Sequence, residues 1–264
     1  MPSSTRILDR RPPSRLGSAD AALSFVHGDK PPARGRGLQL DGVDAFTLSF
    51  WCGTCPLVFE RLAGSNRTLS SDALQGRLNA GLTSIDDDLL RTASLLVPEG
   101  DYLPTLLAIE PRLVNPAGPG DYFAEEQVAH QGIDSFWGLP ENPHTPYYRA
   151  GESQIDDHNA LYEFVVPMVP PTWNDQQKVD MYVAEISSGA SPTALVLSIV
   201  DRTQPFDSAD AHTGLVHFIL DGHHKFEAAA RAGGRLTVLS LLALDEGLSF
   251  SDDAVAVLDH LAGD

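Results

Sequence analysis

The part of the sequence best suited to chemistry is Asp-Gly-His-His-Lys at positions 221–225, between an apolar run and an alanine-rich stretch. This order predicts a strand, a tight turn that needs glycine, and a helix. The first N–H groups of a helix have no partner within the helix, so they bind anions, and phosphate is the usual one. The turn is therefore the candidate functional centre.

Each residue of this turn has a predicted role. The backbone amides from Gly222 onward and the Lys225 ammonium could hold phosphate oxygens. His223 or His224 could donate to the same oxygens or transfer a proton, because imidazole titrates near neutrality. Asp221, at the carboxyl end of the strand, could orient a histidine or bind Mg²⁺. The alternative is a structural turn, in which Asp221 caps the helix and both histidines lie at the surface. The protein would then be a non-catalytic interaction protein with a vestigial site.

The turn, the Glu-Ala-Ala that follows it and the glycine-ended helix resemble the signature of the ParB/sulfiredoxin superfamily. The flanking sequence is similar as well, with a predicted helix over 176–189 and a predicted strand over 194–200. The resemblance covers roughly residues 160–246. Members of this superfamily bind or hydrolyse CTP, reduce a sulfinic acid with ATP, phosphorylate serine with ADP, or act as nucleases.

The resemblance implies a nucleotide- or phosphate-binding protein that uses ATP, ADP or CTP with Mg²⁺. A phosphotransferase or hydrolase acting on a small molecule is the leading expectation. Asp175 is the residue that could replace the glutamate of the related serine kinases. Lys225 stands where relatives carry arginine, so the charge is kept and the bidentate fork is lost. The turn has no cysteine, which argues against sulfinic acid reduction.

Cys52 and Cys55 form a second candidate site, because they follow a predicted strand over 43–51 in a Cys-x-x-Cys pattern. A helix N-terminus next to such a pair activates the first thiol, as in thioredoxin-like proteins. The same pair could supply two zinc ligands, with histidines elsewhere as the other two. Two partly buried reduced thiols are the third interpretation, and the sequence leaves all three open.

Charge and hydropathy narrow the choice of partners. The chain carries 18 basic and 36 acidic residues, for a net charge of −18, and much of the positive charge lies in the first 36 residues. An acidic body repels nucleic acid backbones, so nucleic acid is an unlikely ligand. No apolar run reaches membrane-spanning length, and the start of the sequence lacks the apolar core of a signal peptide. We therefore expect a cytoplasmic protein without membrane contact.

The predicted fold is α/β or α+β, a mixed sheet with helices. Residues 1–38 are predicted to be a flexible basic arm, because they are rich in proline, glycine and arginine. Residues 39–158 are predicted to form an N-terminal half with the strand, the Cys-x-x-Cys pair and a short helix over 57–62. Residues 131–158 are predicted to be a long aromatic loop that either covers the site or packs over an edge of the core. Residues 159–264 are predicted to form the ParB/sulfiredoxin-like module, packed on that half.

Overall fold

The computed structural model describes residues 5–28, 35–50, 57–133, 141–205, 208–247 and 251–263. These residues form a mixed fold of strands and helices, which confirms the predicted α/β or α+β class. The strands are β1 (Arg6–Arg10), β2 (Ser14–Leu16), β3 (Leu23–His27), β4 (Gly35–Leu40), β5 (Val43–Phe50), β6 (Phe59–Arg61), β7 (Gly100–Ile109), β8 (Arg112–Val114), β9 (Tyr147–Asp156), β10 (Asn159–Val166), β11 (Thr193–Thr203), β12 (Ala211–Asp221) and β13 (Leu236–Ala243). The helices are α1 (Asp72–Ala80), α2 (Asp87–Ser94), α3 (Glu126–Gln131), α4 (Gln176–Ser187), α5 (His223–Ala232) and α6 (Ser251–Gly263).

Nine strands form one mixed sheet in the order β1-β7-β13-β11-β12-β10-β9-β8, with β2 also paired to β7. The pairs β10–β12 and β11–β13 are parallel, and the other neighbours are antiparallel. The strands β3-β4-β5-β6 form a second, antiparallel sheet. The central strands β11, β12 and β13 are long apolar runs, as expected for strands that are covered on both faces.

Alternate residues of the central strands face two different cores. In β11, Val196 packs with α4 and α5, whereas Leu197 packs in the core that contains the second sheet, α1 and α2. Phe46 of the second sheet meets Phe218 of β12 with ring centroids 4.9 Å apart. Helix α6 packs on the same face as α4 and α5, farther along the strands, where it contacts Val200. The large sheet is thus buried on both faces.

The large sheet is strongly curled. Four strands lie between β1 and β10 in its hydrogen-bonded order, which would separate them by roughly 24 Å in a flat sheet. Yet the hydroxyl of Thr5, just before β1, donates to the buried carboxylate of Glu163 in β10 at 2.6 Å. A buried polar row crosses the same face, where the Ser198 hydroxyl lies 2.7 Å from both Nδ1 of His217 and the hydroxyl of Ser240.

The flexible arm predicted for residues 1–38 is wrong for the part that the structure describes. Strands β1 and β2 pair with β7, and β3 pairs with β4. Side chains fasten the segment as well: Asp9 accepts the N–H of Ile85 at 2.7 Å, and Arg10 lies 2.5 Å from Asp259. A segment with little apolar surface is ordered here because distant partners satisfy its backbone and its charges.

Two further expectations are wrong. The helix predicted over 57–62 is replaced by β6, because Phe59 pairs with Leu48 and is fully buried among aromatic rings. The loop predicted over 131–158 contains β9, which pairs antiparallel with β10. The lid prediction is therefore wrong for residues 147–156, which belong to the sheet. Residues 134–140, which contain part of the aromatic sequence of the predicted loop, lie outside the described residues.

Candidate functional site

The predicted strand, turn and helix are present at the candidate turn. Strand β12 ends at Asp221, Gly222 precedes the helix with φ +106°, and α5 begins at His223. A Cβ atom at Gly222 would lie 2.6 Å from the Cβ of Ala194. Glycine is required here both by the left-handed backbone and by the close approach of β11.

His223 is buried, with 7% of its surface exposed. Its Nε2 accepts the backbone N–H of Met168 at 3.1 Å, in the segment that leaves β10. Burial, and then the neighbouring charge of His224, lowers the pKa of His223 to about 3. The imidazole is therefore neutral at neutral pH, and the nitrogen that would take up a proton already accepts a structural hydrogen bond.

His224 also accepts from the backbone. Its Nε2 receives the N–H of Asp175 at 3.1 Å, and burial followed by the charge of Lys178 lowers its pKa. The Asp175 carboxylate in turn accepts the N–H of Gln177 at 3.0 Å and caps α4. The structure thus brings these two predicted site residues together, through a backbone amide and not through their side chains.

Lys225 is buried, with 3% of its surface exposed. Its Nζ donates to the carbonyl of Thr193 at 2.8 Å and lies 3.6 Å from the Asp221 carboxylate. Burial lowers the pKa of Lys225, and Asp221 opposes that shift. The other oxygen of Asp221 accepts the hydroxyl hydrogen of Ser71, at the start of α1. Asp221 does not cap α5, which has no side-chain cap.

Sequence reasoning missed Asn174 and Glu227. The amide of Asn174 donates to the Glu227 carboxylate at 2.7 Å and to the backbone carbonyl of His223 at 3.4 Å. An asparagine just before a helix cap is a common residue, and nothing in the sequence marks its partner 53 positions away. With these contacts, the turn joins α5 to β11, to the start of α1 and to the segment between β10 and α4.

The second predicted site, Cys52 and Cys55, lies outside the described residues. Among the described histidines, cysteines, aspartates and glutamates, no group of three or more is arranged to hold a metal ion. In the same part of the chain, no helix combines the length and apolar character that a membrane crossing requires.

A concave site that sequence reasoning did not predict lies at the other end of β10 and β12, where Ala160 pairs with His212. We call it the histidine pocket, a cavity of about 450 Å³. Its main polar and aromatic lining residues are Glu126, His130, Asp157, His158, Tyr162, Asp210 and His212.

Two imidazoles of the histidine pocket are stacked. The rings of His130 and His212 lie 3.7 Å apart at 12°, and Tyr162 lies 4.8 Å from His212. Burial lowers the pKa of His130 and, with the charge of His130, lowers that of His212 to about 4. Nδ1 of His212 is hydrogen-bonded to the hydroxyl of Tyr122 at 3.0 Å. Both rings are therefore neutral at neutral pH.

In comparisons with known proteins, no family model, curated protein or solved structure matches this chain. The functional conclusions below therefore depend on the residues and their geometry.

Proposed function

We propose that this chain is a non-catalytic binding protein and that the turn at 221–225 is a structural brace. The support comes from what the polar groups of the turn already do. The imidazoles of His223 and His224 accept backbone N–H groups, and Lys225 donates to a backbone carbonyl while it is almost fully buried. Groups with internal partners are unavailable to a phosphate unless those hydrogen bonds break, which costs about 1–3 kcal/mol for each buried group left unpaired.

The charges around the turn support the same proposal. Three carboxylates lie near the first turn of α5, those of Asp175, Asp221 and Glu227, and each of them opposes the lowering of the pKa of His224 that burial causes. The neighbouring cations are Lys178 and Lys225. A surplus of carboxylates opposes a nucleotide, whose phosphates carry several negative charges. Mg²⁺ would have to neutralise both sets of oxygens before binding could become favourable.

The test is calorimetric titration with ATP, ADP and CTP, with and without Mg²⁺, on the wild type and on His224→Gln. Glutamine can still accept the Asp175 N–H, so this variant removes the imidazole while it retains the fold. We expect no saturable heat in either protein up to about 1 mM nucleotide, corresponding to binding weaker than about 4 kcal/mol. Saturable binding that His224→Gln weakens would refute the structural role of the turn.

Phosphate or nucleotide binding at the same turn is the second candidate function. One observation favours it: α5 has no side-chain cap, so its first N–H groups remain available as donors. Under this alternative an ATP- or ADP-dependent phosphotransferase or hydrolase would place phosphate on those amides, with Asp221 as the nearest carboxylate for Mg²⁺. Amide chemical shifts of His223 and His224 that move on titration with inorganic phosphate would favour this alternative.

A further inference from the structure

We propose that the histidine pocket binds a small organic cation, with its ammonium group at the carboxylates and its body against the aromatic rings. The inference extends the binding function proposed above by naming a ligand class. It does not depend on the turn, which lies at the opposite end of β12.

The pocket has more available negative charge than positive charge. The neighbouring arginine Arg149 is 6% exposed and pairs with Glu126 and, at 2.7 Å, with Glu152. Among the described residues, no hydrogen bond or ion pair occupies the carboxylate of Asp157. The Asp210 carboxylate pairs with His158 at 2.8 Å, and both side chains are more than 60% exposed, so solvent weakens that pair.

The stacked imidazoles do not offset this charge. Two protonated rings 3.7 Å apart would repel each other strongly, and burial already favours their neutral forms. Around His130 and His212, the facing titratable groups are Tyr122, Glu126 of α3, Tyr162 of β10, and Asp157, His158 and Asp210 at the ends of the neighbouring strands. At neutral pH the walls are therefore uncharged rings and the rim is acidic.

The aromatic rings of the pocket, like its carboxylates, favour a cationic ligand. A cation near an aromatic ring gains about 0.5–2 kcal/mol from the ring quadrupole. The guanidinium of Arg149 lies 5.6 Å from the centroid of the Tyr162 ring, and its charge is offset by Glu126 and Glu152. A cavity of about 450 Å³ falls within the usual size range of small-molecule sites.

The test compares ligands that share a phenol ring and differ mainly in the charge of a short side chain. Tyramine, 4-ethylphenol and 4-hydroxyphenylacetate share one phenol ring and carry an ammonium, no charge and a carboxylate, respectively. Putrescine tests the ammonium without the ring. We expect tyramine to bind at least about tenfold more tightly than 4-ethylphenol, and its binding to weaken as salt is added.

The matched variants remove two carboxylate charges of the pocket and keep the side chains nearly the same size. Asp157→Asn combined with Asp210→Asn should weaken tyramine binding about tenfold or more, because the ammonium loses both carboxylates. Asp41→Asn, in the turn between β4 and β5, should leave binding as in the wild type. Thermal melting of all three proteins verifies that they are folded.

Several results would overturn the inference. Binding of 4-ethylphenol as tight as that of tyramine would mean that the pocket selects the ring and not the charge. Preference for 4-hydroxyphenylacetate, or no binding of either amine up to about 10 mM, would reject a cation site. The amine titrations test only the histidine pocket, and the nucleotide titrations test only the turn. A negative result in one set therefore leaves the other proposal standing.

Discussion

Replacing His223 with glutamine should reduce the loss of stability that acid causes. In the folded protein, burial holds the pKa of His223 at about 3, whereas an unfolded histidine titrates near about 6.5. Because the folded pKa is the lower one, the neutral imidazole contributes its full stability above about pH 6.5. That contribution is lost as the pH falls toward 3, since the unfolded chain then binds the proton and the folded chain does not.

The size of the effect follows from this pKa difference. At about pH 5 the unfolded imidazole is almost fully protonated, and linkage gives a loss of about 2 kcal/mol relative to about pH 7.5. This value depends little on how far the folded pKa lies below 5. By about pH 3 the loss approaches 4–5 kcal/mol, because each pKa unit corresponds to about 1.4 kcal/mol.

Urea unfolding of the wild type and of His223→Gln, at about pH 7.5 and about pH 5, measures the effect. The glutamine carbonyl can accept the Met168 N–H but does not titrate, so the acid-induced loss should be about 2 kcal/mol smaller in the variant. Ile219→Val, in the same core, is the control: it should lower stability by about 1 kcal/mol at both pH values and leave their difference unchanged. An equal acid-induced loss in His223→Gln and the wild type would refute the neutral, buried state of His223.

Urea unfolding tests three positions of the brace, Gly222, Lys225 and Asp175, with Gly189→Ala and Asp175→Asn as controls. Gly222→Ala should lower the free energy of unfolding by about 3 kcal/mol, because the backbone is left-handed and the new Cβ would lie 2.6 Å from Ala194. Gly189→Ala should cost about half as much, because Gly189 has φ +94° but open space around it. Equal losses in the two variants would mean that the contact with Ala194 contributes nothing. Lys225→Met should lose about 2 kcal/mol, because a buried carbonyl and a carboxylate lose their donor, and unchanged stability would refute that pairing. Asp175→Ala should lower the free energy of unfolding by about 1 kcal/mol, because α4 loses its N-terminal cap. Asp175→Asn should lower it much less, because asparagine can still cap the helix. Equal losses would mean that the charge of Asp175, and not its capping hydrogen bond, stabilises the protein.

The sequence predicts this fold best where local signals agree. The apolar run of β12 predicts a strand, Gly222 predicts a turn, and the alanines of α5 predict a helix. These local signals do not depend on the rest of the chain, and the structure confirms all three elements. The strands β1, β6 and β9 were missed because their own residues are mixed in polarity, and because the partner of β1 lies far away in the sequence. Strand formation there depends on pairing, which propensity does not report.

The candidate site shows a different limit. The turn was predicted to hold phosphate oxygens and to transfer protons, and the structure buries His223 and Lys225 with backbone partners. Which backbone groups approach them depends on how β11 and the segment after β10 pack, and this is not encoded at the turn itself. The histidine pocket was missed for the same reason, since sheet register brings His212 beside residues about fifty and eighty positions earlier.

The curl of the large sheet has a consequence for how the protein folds. Strand β1 makes contacts with distant parts of the chain, since its surroundings include Glu163 of β10 and Asp259 of α6, the latter 249 positions from Arg10. The second sheet consists of residues close in sequence and can form early. Contacts between such distant positions form late in folding, so the large sheet closes after the second sheet has formed. Until then the outer edge of β1 is exposed, and an unpaired strand edge is open to chaperones.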